Sequence, residues 1–275
     1  MLRFLRAFHF PAIDRLWKFL LATAIYTSAV CGYHEWHDIV TDRPQPSRIV
    51  EIVLSSLIFG WFMHFRANTA YDRWWEARKL WGQLVNVSRN IALKSRHLIG
   101  ASETDRERLA GLLTTFADCL RKRLARPRSL PGDMEAAREP MAIAGQLYGL
   151  MGEWAANKAD PWKLLALDTD ARQLMDVSGA CERIRSTPLA SSYRGLLRTL
   201  IGVYLLGLPW MLYDEMGLWT ILMTVVVSYV IIGLELIADD IENPFTPGPD
   251  ALRLDNVADV IRETAAAYAS RPEVL

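Results

Sequence analysis

Cysteine is scarce in this 275-residue chain: Cys31, Cys119 and Cys181 stand alone, with no CxxC pair. That excludes a disulfide framework read from local spacing and fits a reducing cytoplasm, each thiol reading as a small buried apolar side chain. Net charge is absent as well. Lys and Arg total 31 and Asp and Glu total 31, so the chain offers no electrostatic footprint for nucleic acid. No run of alternating β-branched residues occurs, so little or no sheet is expected. GxSxG, HExxH, GxxxxGK[ST] and a Gly-rich phosphate loop after a strand are all missing, and with them any expectation of an enzyme, a cofactor or a metal. Asp239 and Asp240 read as solvated acids at a helix end. His34 and His37, which have no further ligand cluster nearby, read as interfacial polar residues.

What is present points to two unlike parts. An apolar fraction of 51% and ten Trp are high for a soluble protein, and 23% charged is high for a purely membranous one. Four apolar runs are long enough for a bilayer at about 1.5 Å per residue: 16–36, 49–65, 196–213 and 216–238. The first is too long for a signal-peptide core and lacks a small-x-small cleavage site. Ahead of it, Arg3, Arg6 and Arg15 among Phe4, Phe8 and Phe10 suit a segment lying at a membrane surface. Pro44 and Pro46 set the start of the second run, and Glu51 lies in its first turns, where an acid favours the positive end of the helix dipole. Asp214-Glu215 joins the last two runs, too short a link for anything but an antiparallel helical hairpin.

The run that organises the chain is IVEIVLSSLIFGWFMHF, from Ile49, because it continues without a break into the charged, aromatic RANTAYDRWWEARKLWG. No Pro lies between Pro46 and Pro127, so one helix leaving a bilayer and continuing into water is the economical reading. Leu57, Trp61 and Phe65 recur every four residues as one stripe, with Leu54, Ile58 and Phe62 beside it. Such a stripe suits packing against helices or lipid as well as a pore lining.

From residue 66 to about 190 the helical period dominates. Trp74, Trp81, Leu84 and Ile91 keep one face apolar, while Arg73, Glu76 and Lys79 are placed for close-range ion pairs. Thr104 with Glu107 reads as a capping box opening a helix to about Leu124. Leu130-Pro131-Gly132-Asp133 is a break, Pro140 must kink or shorten the helix covering Met134–Trp154, and Asp160-Pro161 caps a helix running toward Arg185. Thr187 reads as an N-cap with Pro188 in the first turn, opening the third membrane helix with free N–H groups that favour anions. After Ala238 come Asp239, Asp240 and Glu242, then NPFTPGPD, whose Pro and Gly impose an irregular segment, and a last amphipathic helix from Asp255 to about Tyr268.

About fourteen Lys or Arg lie in the first half of the middle region, against two in Asp38–Arg48 and none in Asp214-Glu215. By the positive-inside rule the middle region and both termini are cytoplasmic, which gives four crossings. Glu51, Arg198 and Glu235 all sit near run ends, where snorkelling or caps satisfy them; this argues against a midplane proton-coupled transporter. A passive channel and a membrane-anchored helical scaffold without transport both remain compatible with these residues.

FRANTAYDRWWEARKLWG, GACERIRSTPL (Gly179 to Leu189) and ENPF (Glu242 to Phe245), in this order over nearly the whole chain, resemble the bestrophin family of ion channels, most closely its bacterial branch. The resemblance implies an all-α subunit of four transmembrane helices with a large helical cytoplasmic region (66–190 and 239–275). The whole chain would form one channel domain of a homopentamer in a bacterial inner membrane, with lipids and small monovalent ions as its other partners. It implies a neck of three apolar rings, Leu57, Trp61 and Phe65, of which Trp61 is larger than the residue expected at the middle ring. A cytoplasmic constriction is implied at Leu189 or Thr187. Chloride is the ion of most relatives and monovalent cations that of close bacterial ones. Animal members bind calcium through an acidic run after the NPF motif; here TPGPD stands in its place and leaves only Asp250, so calcium is not expected.

Overall fold

The computed structural model describes residues 13–41, 48–126 and 134–270. The surface segment ahead of Ile13, Pro44, Pro46 and the Pro131-Gly132 break lie outside them. Among the described residues every regular element is helical: α1 (Ile13–Thr41), α2 (Ile49–Lys94), α3 (Glu103–Ala125), α4 (Met134–Ala156), α5 (Pro161–Ser186), α6 (Ser191–Met216), α7 (Trp219–Glu242) and α8 (Leu254–Ser270), with a π turn, Ser95–Ile99, after α2. The all-α reading holds. The chain divides into two compact units, Met1–Asp72 with Leu189–Glu242, and Arg73–Pro188 with Asn243–Leu275. The 46-residue α2, about 69 Å long, is shared between them.

The first unit contains α1, the start of α2, α6 and α7. Among the described residues three helices are long and apolar enough to cross a bilayer, those beginning at Ile49, Ser191 and Trp219. The 29-residue α1 has the length, about 43 Å, but places Thr23, Thr27, Ser28, His34 and Glu35 among its apolar residues. Both α1 and α6 pack on α7, which buries Thr220, Thr224 and Ser228 along one stripe. Side chains this small let helix backbones approach closely. Phe59 and Met63 of α2 meet Ile201 of α6 and Ile231 of α7 in a small core. There the Phe59 and Tyr204 rings stack at 4.3 Å, and the Tyr204 hydroxyl lies 3.0 Å from that of Ser56. His34 stacks on Tyr213 at 4.5 Å and lies against Trp210.

Two boundaries in this unit differ from expectation. α6 runs on through Asp214 and Glu215, where Arg48 pairs with Asp214 and donates its backbone N–H to Glu215. The hairpin turn therefore falls at Gly217-Leu218, with Gly217 at φ +54, a conformation that glycine adopts freely. α7 continues past Ala238, where the apolar run was expected to end, so that Asp239, Asp240 and Glu242 are part of the helix itself.

The second unit has a conventional core. Leu109, Leu113, Phe116, Leu120 and Leu124 form the buried stripe of α3, facing α4 and α8, with Trp81, Leu84 and Ile91 of α2 and Leu167, Leu174 and Val177 of α5 in the same core. α3 is capped by Ser102, whose hydroxyl accepts from the N–H of Asp105, two residues ahead of the expected Thr104. α5 starts as expected, with Asp160 accepting from the Trp162 N–H and Pro161 in the first turn. Pro140 does not shorten α4, which continues to Ala156. Trp74 is half-buried, whereas its neighbour Trp75 is 46% exposed and Trp81 only 1%. Arg73 donates to the carbonyls of Ile184 and Thr187, and Glu76 pairs with Arg183, so both residues tie α2 to α5. The NPFTPGPD segment is irregular, as expected, with Phe245 buried and the Asp250 carbonyl accepting from the Trp74 indole N–H.

Candidate functional site

The membrane half of α2 is supported from one side only. Phe59, Met63, Arg66 and Ala70 are buried and share one face. Leu57, Trp61 and Phe65 are 66%, 64% and 47% exposed. At about 100° per residue, Trp61 lies about 160° around the helix from both Phe59 and Met63. The 57/61/65 stripe is thus the face turned farthest from the helix's own partners. The Trp61 and Phe65 rings meet edge to face at 5.3 Å, so the two lower members of the stripe support each other's orientation. The second stripe is less separate than the sequence suggested. Leu54, Ile58 and Phe62 are exposed too rather than packed on neighbouring helices of the same chain. Leu54 lies only about 20° from Trp61, whereas Ile58 and Phe62 lie about 60° and 100° away.

This stripe offers no charge and no coordinating oxygen. Apolar side chains of this size act on ions only through the diameter they leave and the ease with which water enters between them. A polar belt begins just below, where the His64 ring nitrogen and the Asn68 amide meet at 2.9 Å.

Directly beneath lies a feature that sequence reasoning missed. The Arg66 side chain is fully buried, with its guanidinium 3.0 Å from Glu235 and 3.0 Å from Glu242, and 3.8 Å from Asp239. Arg198 reaches Asp239 at 3.1 Å and Glu235 at 3.6 Å, and Arg194 approaches Glu242 at 4.0 Å. Three arginines and three carboxylates from α2, α6 and α7 therefore neutralise one another. Glu242 is fully buried and Glu235 nearly so, which corrects the reading of Glu235 as an acid satisfied by snorkelling or a cap. The signal was legible in one respect: Glu235, Asp239 and Glu242 fall at i, i+4 and i+7, one face of a helix, and three acids on one buried face require counter-charges. The cluster fixes the rotation of α2 about its axis, and hence the direction in which Trp61 points.

The second expected site is not built as anticipated. Thr187 is the C-cap of α5, its backbone N–H and hydroxyl both donating to the Arg183 carbonyl. α6 starts at Ser191 with Ala190 as N-cap and no side-chain cap bond, so Thr187 and Pro188 do not open the third membrane helix. Thr187 is exposed and Leu189 half-buried, and the division between the two units falls between Pro188 and Leu189. In the second unit, burial and the nearby Glu182 and Glu76 push the Cys181 thiol up to about 12. Among the described residues no group of His, Cys, Asp and Glu is arranged to hold a metal ion.

A family model described as "Bacterial/Fungal Bestrophin protein" matches residues 1–267. A voltage-dependent anion channel-forming protein of Ralstonia nicotianae is 32% identical over 232 residues, covering 78% of this chain and 74% of that protein. Another of that description, from Nostoc sp., is 30% identical over 237 residues, covering 80% and 77%. The crystal structure of a bacterial bestrophin homolog from Klebsiella pneumoniae superposes with a TM-score of 0.80 at 20% identity, covering 92% of this chain and 98% of that one.

Proposed function

The chain belongs to the bacterial and fungal bestrophin family, and from that membership we propose that it is the subunit of a homopentameric, passive channel for small monovalent ions in a bacterial inner membrane. Four helices cross the bilayer, α1 in addition to the three that are long and apolar enough by themselves. The polar region between the second and third crossings and both termini lie on the cytoplasmic side, where the basic residues concentrate. Leu57, Trp61 and Phe65 form three successive apolar rings of a neck, spaced by about 6 Å along α2. Leu189, with Thr187 as the alternative, narrows the cytoplasmic end.

One observation carries the reading. The Leu57, Trp61 and Phe65 stripe points away from the helix's packed face, and the buried Arg66 cluster holds it there. A scaffold that used its crossings only as anchors has no need of a buried three-arginine, three-carboxylate cluster to orient one lipid-facing stripe. Ion passage then depends on wetting of the rings, while discrimination between ions arises from the fields at either end. The names of the curated relatives point to an anion, and chloride is the first to test. Purified protein in liposomes should pass chloride or potassium down an imposed gradient without an energy source. Liposomes as tight as protein-free controls to both ions would leave the scaffold reading standing.

A further inference from the structure

Among the helices of the membrane unit, α1, α6 and α7 line an open groove of about 590 Å³ that the pore does not use, within the range of small-ligand sites. Its walls are apolar, formed by Phe19, Ile201, Leu205, Ile232 and Leu236. At one end lie Arg198, Glu235 and Asp239. The other end lies at Tyr26 and Leu206, where the Tyr26 hydroxyl donates to the Leu206 carbonyl at 2.8 Å. Arg198 and Leu206 are about 12 Å apart along α6, so the groove is a slot running parallel to the helices with one charged mouth.

We propose that this slot binds one acyl chain of a phospholipid whose headgroup is zwitterionic and carries a primary amine, as in phosphatidylethanolamine. The charged mouth supplies the argument. Arg198 and Asp239 are both partly exposed and opposite in sign, a phosphate acceptor's partner and an ammonium's partner side by side. The Glu235 side chain is 11% exposed, and its carboxylate oxygen 3.6 Å from Arg198 accepts no hydrogen bond within the chain, so an ammonium at the mouth would supply one. The whole cluster sums to zero, Arg66, Arg194 and Arg198 against Glu235, Asp239 and Glu242, so a net-neutral headgroup leaves no uncompensated charge. An anionic lipid would add one. A choline headgroup has no N–H to donate to Glu235 or Asp239.

The test uses the purified oligomer in detergent, titrated with phosphatidylethanolamine, phosphatidylcholine and phosphatidylglycerol of identical chains and read by native mass spectrometry. The ethanolamine lipid should bind about tenfold more tightly than the other two, the worth of one hydrogen bond to a charged group. Asp239→Asn should bring its binding down toward that of the choline lipid. Gly202 lines the slot, and a Cβ added there meets open space, so Gly202→Leu should fill the slot and abolish the preference while the oligomer's mass stays the same. Ala22→Leu, on α1, is the second filling variant. Equal binding of the three lipids, or an undiminished ethanolamine preference in both filling variants, would overturn the proposal.

Discussion

Replacing Arg66 by Met tests whether the buried cluster holds the membrane unit together. At an effective dielectric of about 20, each 3.0 Å contact to Glu235 and Glu242 represents roughly 5 kcal/mol of gross attraction. Desolvation of the charges cancels most of that. Removing one partner is different, because two buried carboxylates lose their nearest counter-charge and only the longer contacts to Arg198 and Arg194 remain, with one negative charge in excess, and the net cost is about 3–5 kcal/mol. That is roughly two to four powers of ten in the folded-to-unfolded ratio. The assay is the fraction of monodisperse oligomer surviving a heating series in detergent, and the midpoint should fall on the order of 10 °C. A triple variant, Arg66→Met with Glu235→Gln and Glu242→Gln, removes the orphaned charges and should recover much of the loss. An unchanged midpoint for Arg66→Met would refute the reasoning. A triple variant as unstable as the single one would show that packing, not charge, was lost.

Other expectations follow from burial and charge. Trp81→Ala should cost about 3–5 kcal/mol of stability, since the ring is fully enclosed. Trp75→Ala should cost far less; a comparable loss of assembly would mean that another copy covers Trp75. Because its pKa is pushed up to about 12, the Cys181 thiol should resist maleimide at pH 8 in the native protein and react on unfolding. The folded thiol keeps its proton where the unfolded one, near 9, loses it, so this contribution to stability is full below about pH 9 and is lost as pH rises toward 12. A cysteine at Leu218, in the α6–α7 turn, should react with an impermeant reagent from outside, and one at Lys158, in the α4–α5 turn, should not. The reverse labelling would overturn the charge-based orientation.

The sequence carried most of what is local. Asp160-Pro161 announced its helix because an N-cap and a first-turn proline act within three residues. Ser102 was passed over for Thr104 because both can cap and only the turn geometry selects between them. Thr187 looked like a cap opening α6 but closes α5, its hydroxyl bound backward to Arg183, a choice that residue type alone does not make. The long-range features were harder to read. Arg66 sits 169 residues from Glu235, and neither shows from its neighbours that it will be buried. The same pairing explains why α7 overruns its apolar stretch, since Glu242 must stay helical to reach Arg66. The exposed 57/61/65 stripe was legible from spacing; that it opposes the packed face required the positions of Phe59 and Met63.

Single-channel conductance of Trp61→Ala beside Ile58→Ala, under equal salt gradients, tests the central claim most directly. If Leu57, Trp61 and Phe65 ring the neck as proposed, one substitution alters a whole ring, so Trp61→Ala should raise conductance and reduce closures without changing the sign of the permeant ion, because no charge is touched. Ile58→Ala, about 60° off the axis of the stripe, should change the current much less. A pore opened by Ile58→Ala and indifferent to Trp61→Ala would mean that the wrong face of α2 has been assigned, and no change in either would contradict the neck altogether.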